Sequence, residues 1–121
     1  MFSNTITITI ATGQDRVLRR VNQDNFGSTY QFSDADESIT MLIRHSTDSL
    51  DSDGIAMKRH NVYFERIVFP TPTELMKKQS FTVTMRVGRY EDPAVVSDIA
   101  AGVNAWLGTN TNLADLAEGE N

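Results

Sequence analysis

Near the N-terminus, Thr5-Ile6-Thr7-Ile8-Thr9-Ile10 alternates hydroxyl and apolar side chains without a break and runs into Ala11. Successive side chains of a strand point to opposite faces, so this segment puts threonine on one side and isoleucine on the other. A helix would scatter the same isoleucines around its circumference. The period of two recurs in three further segments. Ile39, Met41 and Ile43 oppose Thr40, Leu42 and Arg44 in a predicted strand over 38–46. Val62, Phe64 and Val68 oppose Arg59, Asn61, Tyr63 and Glu65 over 57–69. Phe81, Val83, Met85 and Val87 alternate with Thr82, Thr84 and Arg86. Residues 16–21 read as the arm returning from the first strand through Thr12-Gly13-Gln14-Asp15, and 28–33 as a short strand carrying Tyr30 and Phe32. Between the strands lie a turn-rich stretch (22–27), an acidic turn (34–37), a polar loop (47–54) and an exposed loop (74–78). Phe69-Pro70-Thr71-Pro72-Thr73 interrupts the ladder, because proline has no N–H to donate.

The period changes after Glu91. Asp92 is placed to cap a helix and Pro93 to occupy its first turn. Val96, Ile99, Val103 and Trp106 then recur at intervals of three and four, which gathers them on one helical face that Gly108 ends. Residues 113–117 form one more short helix. The chain is therefore α+β, and its 121 residues suit a single domain. No run approaches the ~18 apolar residues of a membrane helix. The first residues lack the basic and apolar regions of a secretory signal, so none is expected. With no cysteine, disulfides, zinc–thiolate sites and thiol nucleophiles drop out together. Two short helices cannot cover an apolar face that runs the whole sheet. Apolar surface is left for association, and helices packed across a second copy's sheet would cover it.

A formal net charge of −5, taken whole, argues against a nucleic-acid partner. Its distribution says otherwise. Residues 90–121 hold no Lys or Arg and six acids: Glu91, Asp92, Asp98, Asp115, Glu118 and Glu120. Within residues 1–89, six acids fall in two loops, Asp34, Asp36 and Glu37, then Asp48, Asp51 and Asp53. What remains there is 11 bases against 4 acids. Strand parity puts Arg44, Arg59 and Arg86 on the face opposite the apolar one, with Thr40, Asn61, Tyr63, Thr82 and Thr84. Such groups hold phosphates and stack bases. A solvated sheet face is also ordinarily polar, with charges that serve only solubility. Composition alone does not decide between these readings.

Catalytic signatures are missing: there is no G-x-S-x-G, P-loop or G-x-G-x-x-G. His45 and His60 fall on the apolar side near strand ends, where they can approach each other across the connecting loop, and structural hydrogen bonding accounts for them. A small hydrolase built on either has no motif behind it. Asp51-Ser52-Asp53-Gly54 looks like part of a calcium loop, which makes Asp51 and Asp53 the metal candidates, but the full spacing and terminal glutamate are absent.

Several short stretches, in order, resemble the coat proteins of the single-stranded RNA bacteriophages, the leviviruses. They are Val17-Leu18-Arg19-Arg20-Val21-Asn22-Gln23-Asp24, Ile43-Arg44-His45, Arg59-His60-Asn61-Val62 and Val96-Ser97-Asp98. They look closest to the coat of the Caulobacter-infecting member. The resemblance implies one coat domain over 1–121: an N-terminal hairpin (1–22), a five-stranded antiparallel sheet (28–89) and two short C-terminal helices (92–118). It further implies an interlocked homodimer whose helices, through Val96, Ile99, Val103 and Trp106, pack over the partner. Dimers would build an icosahedral shell, assembled in the host cytoplasm, whose inner sheet face binds genomic single-stranded RNA and an operator hairpin that represses translation. Carried over by position, the RNA-binding residues are Thr40, Arg44, Arg59, Asn61, Tyr63, Thr82, Thr84 and Arg86. The assembly loop around the symmetry axes contains Phe69, Pro70, Pro72 and Glu74. Coliphage coats carry an inward tyrosine on the last strand; Thr82 and Thr84 stand there here, and Tyr63 is the inward aromatic. Leu42 takes an inward polar position. No cofactor is required, although some shells of the family use calcium between subunits. The rival reading is a phage structural or decoration module that binds no RNA. Neither reading involves a membrane or an enzyme.

Overall fold

A computed structural model describes residues 2–119; Met1, Glu120 and Asn121 lie outside them, so one of the six tail acids is not placed. The elements are β1 (Thr5–Ala11), β2 (Gln14–Asp24), β3 (Gly27–Ser33), β4 (Glu37–Leu50), β5 (Ala56–Val68), β6 (Lys77–Gly88), α1 (Pro93–Leu107) and α2 (Asn112–Ala117). All six strands form one antiparallel sheet in chain order.

This corrects the expectation of a hairpin followed by a five-stranded sheet. Four strands follow the hairpin, and the hairpin is continuous with them. Parts of the segments expected as loops are strand. β2 runs past Val21 to Asp24 and pairs with β3 from Arg19 opposite Gln31 to Asp24 opposite Gly27. β4 continues beyond Ser46, through a register shift between Thr47 and Leu50, and closes on β5 with Leu50 opposite Ala56. Pairing two adjacent antiparallel backbones satisfies their N–H and C=O groups whatever the side chains are, so polar residues there do not stop the ladder. At the β1–β2 turn, Gly13 supplies a φ of +74 that few other residues tolerate. Gly27 serves closeness: a Cβ there would lie 1.8 Å from the Ile43 carbonyl oxygen.

The sheet curls so that the hairpin lies over its own apolar face. Leu18, Tyr30, Ile39, Met41 and Ile43 form the buried cluster, and Ile6, Ile8 and Ile10 pack on it. Two polar anchors hold the curl. The Tyr30 hydroxyl donates to the Ser3 carbonyl at 2.7 Å and accepts from Arg20 Nη2 at 2.9 Å. Glu37, 3% exposed, lies between Arg16 of β2 and Arg66 of β5. Glu37 was expected in an acidic turn; it begins β4 instead, and its side chain is enclosed.

The Asp92 carboxylate accepts the Ala94 N–H and Pro93 sits in the first turn, so α1 starts as its sequence predicts. Gly108 caps its end, donating to the Asn104 carbonyl. α1 lies along β6, yet its apolar stripe is uncovered: Ile99 is 61% and Trp106 63% exposed, and only Val96 is half-buried. On the apolar face of the sheet, an open groove of about 460 Å³ runs between β1 and β6. Ile8, Ile10, Val62, Phe64, Phe81 and Val83 are among its walls. No helix among the described residues is long and apolar enough to cross a membrane.

Candidate nucleic-acid interface

The register resolves the other face into rows that cross the sheet. Leu42, Tyr63 and Thr82 stand side by side on β4, β5 and β6; Arg44, Asn61 and Thr84 form the next row; Ser46, Arg59 and Arg86 the next. Thr40 precedes them, beside Glu65 and Ser80. All eight residues singled out from parity therefore share one continuous patch. Leu42 is within it, as its parity required.

Their hydrogen bonds give the patch its shape. Asn61 Nδ2 donates to the hydroxyls of Thr82 (2.9 Å) and Thr84 (2.8 Å), which ties the threonines of β6 to the middle of β5. Its Oδ1 has no hydrogen-bond partner among the described residues. The Tyr63 hydroxyl donates to Glu65 Oε2 at 2.7 Å. This bond to a carboxylate raises the phenol above its usual range, so the ring stays neutral.

The charge of the patch differs from the sequence expectation. Asp48 was assigned to a loop, but the extension of β4 carries it onto this face, where its Oδ2 accepts from Arg86 Nε at 2.9 Å. Asp24, at the end of β2, accepts from Arg44 Nη1 at 3.2 Å. Lys78 lies 3.7 Å from Glu65. Among the described residues, Arg59 alone of the three face arginines has no carboxylate partner. Alternation gave no hint of Asp24. Asp48 could have been found, since 44, 46 and 48 share a parity.

The remaining candidates fall elsewhere. His45 and His60 are directly opposite on the apolar face, with Nδ1 atoms 2.9 Å apart, and so meet as their positions suggested. Asp51 Oδ1 accepts the N–H groups of Asp53 and Ile55, each at 2.9 Å, which makes it a turn-former. Among the described residues no three acidic or histidine side chains are grouped so that they could hold a metal ion. The loop of Phe69, Pro70, Pro72 and Glu74 is exposed and closed on itself, with Thr71 N–H donating to the Glu74 carbonyl at 2.9 Å. Leu75 in it is 89% exposed.

A sheet polar on one face and apolar on the other, with an open groove and a bare helical stripe, defines a structural subunit. The family described as "Phage phiCb5, coat protein" matches residues 3–88. The fold is similar to that of the solved virus-like particle of Beihai levi-like virus 21, with a TM-score of 0.67 at 15% identity. That likeness covers 97% of this chain and 94% of the other. No curated protein matches in sequence. The chain belongs to the phage phiCb5 coat protein family. It is thus a structural protein of a virion and not an enzyme, which closes the hydrolase reading.

Proposed function

We propose that two copies interlock into a dimer, that dimers build an icosahedral shell, and that the polar sheet face lines its interior and holds genomic single-stranded RNA. The observation that carries the RNA reading is the patch itself. Three arginines, an asparagine, three threonines and one tyrosine share one face of β4–β6, opposite the apolar face. Guanidinium groups neutralise phosphates, the Asn61 Oδ1 accepts from base amino groups, and the Tyr63 ring offers a stacking platform worth ~1–3 kcal/mol per base. An operator hairpin would use the same surface to repress translation in the host cytoplasm.

The dimer reading is supported by complementary vacancies. The stripe of Val96, Ile99, Val103 and Trp106 needs an apolar groove, and the groove between β1 and β6 needs a cover. Among the described residues the outer edge of β6 has no strand neighbour, so its N–H and C=O groups are open to a second copy. Any calcium between subunits would draw on Asp51 and Asp53 from neighbouring copies. The solved Beihai levi-like virus 21 protein forms a virus-like particle, and the same outcome is proposed for this chain.

Electron microscopy and the 260/280 nm absorbance ratio of purified recombinant protein test the proposal together. Uniform shells rich in RNA are expected. Uniform shells with the absorbance of protein alone would remove the RNA role and favour a module that binds none. A dispersed monomer would remove the shell.

A further inference from the structure

Two of the three arginines on the proposed RNA face carry their own counter-ion. Asp24 comes from the end of β2 and meets Arg44 at 3.2 Å; Asp48 comes from the extension of β4 and meets Arg86 at 2.9 Å. Asp24 stands in the row of Arg44, across Gly27, which has no side chain to come between them; Asp48 lies outside the row of Arg86. Asp48 reaches over from β4 to β6, past Arg59 on the strand between them. The contacts are single hydrogen bonds. Arg86 uses only Nε and Arg44 only one Nη1 donor toward these acids, so each guanidinium keeps donors free for a phosphate. The carboxylates therefore act through charge and leave the donor sites open. Both pairs are solvent-exposed, and exposed pairs are held weakly enough to be exchanged.

We propose that Asp24 and Asp48 are built-in counter-ions that set the threshold for RNA binding, leaving Arg59 as the first contact and admitting a strand only where its phosphates outcompete both carboxylates for the arginine charge. This rests on the RNA-binding reading above and names how that site is regulated. Before RNA arrives the patch presents little net charge, which disfavours scattered anions and short fragments. A strand whose phosphates reach Arg44, Arg59 and Arg86 together meets three cations at once. Counter-ion release then follows from Arg59 first, and from the other two only as the carboxylates yield.

The test is binding of a fluorescein-labelled oligouridylate to full-length protein, below its assembly concentration, by anisotropy across a salt series. The Asp24→Asn/Asp48→Asn double variant keeps the turn bond that Asp24 Oδ1 accepts from the Phe26 N–H, so the fold is retained. Asp36→Asn/Asp98→Asn makes the same change in total charge away from the patch. The face variant is expected to bind roughly three- to tenfold tighter at 0.1 M salt than the wild type, with a log–log salt slope steeper by about 1.4. The distant variant should move both much less. Equal shifts in the two variants would reduce the effect to net charge and overturn the counter-ion role. So would a face variant indistinguishable from wild type while wild type binds. If neither wild type nor face variant binds at any salt, the RNA-binding reading fails as well. Binding by the face variant alone supports both.

Discussion

Arg66 Nε donates a 2.7 Å hydrogen bond to Glu37 Oε2, and through that carboxylate the middle of the sheet is joined to the hairpin. The other oxygen is taken by Arg16 of β2, whose guanidinium also lies over the Phe32 ring. Removing one member of a buried ion group leaves its partners uncompensated, at about 3–5 kcal/mol when burial is complete. The two arginines here keep about a quarter of their side-chain surface in water. Glu37→Gln is therefore expected to lose somewhat less, roughly 2–3 kcal/mol, read as a lower urea midpoint with an unchanged slope.

The same carboxylate predicts an acid response. Burial alone would raise it; the hydrogen bonds and charges of Arg16 and Arg66 together outweigh burial and hold it below its ordinary 4.5. Its folded-state contribution is complete above 4.5 and drains away as pH falls below that value. Urea midpoints of the wild type should drop over that interval, and those of Glu37→Gln should drop less. Parallel curves would show that Glu37 does not carry the acid sensitivity.

The histidine pair gives a second pH dependence, nearer neutrality. With Nδ1 atoms 2.9 Å apart, one ring donates and the other accepts, so two imidazoliums cannot share the contact. Burial first, then His45 and Lys58, hold His60 below its ordinary 6.5. A histidine depressed in the folded state stabilises above the unfolded value and loses that contribution as pH falls through it. Melting temperature should decline as pH is lowered from 7.5 toward 5.5, and His60→Gln should flatten the decline. NMR titration of the His60 imidazole supplies the direct check, with a midpoint at or above the ordinary value sinking the idea.

Trp106 is the sole tryptophan, and in one subunit most of its surface is exposed. If the helix stripe fills a second copy's groove, emission of the folded protein should lie well to the blue of the unfolded chain and resist acrylamide. Ile99→Asp should shift emission to the red and leave a smaller species in analytical ultracentrifugation. Red emission in the wild type would mean that the stripe stays bare.

Among the described residues Arg59 is the face arginine without a carboxylate partner, so its loss should weaken RNA packaging more than the loss of Arg44. For Arg59→Ala the salt slope of binding should become shallower by about 0.7, the value for one phosphate contact on a single strand. Particles with unchanged RNA content would take Arg59 out of that role.

Much of the fold and of the patch was legible in advance, because alternation is a local property. Thr5–Ala11 could only be a half-buried strand, and residues 44, 59 and 86 had to share a face once their strands paired in line. Asp92, Pro93 and Gly108 marked the ends of α1 with the chemistry they use. Each of the six strands was legible, and the five-stranded count came only from the resemblance; the strand lengths were not legible, since polar stretches at 22–24 and 47–50 carry no apolar period and yet pair, their backbone groups being satisfied by the neighbouring strand.

Charge placement shows the division most clearly. A net of −5, an acid-only C-terminal segment and a basic strand framework follow from residue order alone, as does the side of each strand on which an arginine emerges. Which acid meets which arginine does not. Glu37 lies 21 residues from Arg16 and 29 from Arg66, and Asp48 lies 38 from Arg86. Ion pairing depends on distances of a few ångströms, and only the curl of the sheet and the lengthened β4 bring those groups within reach of one another.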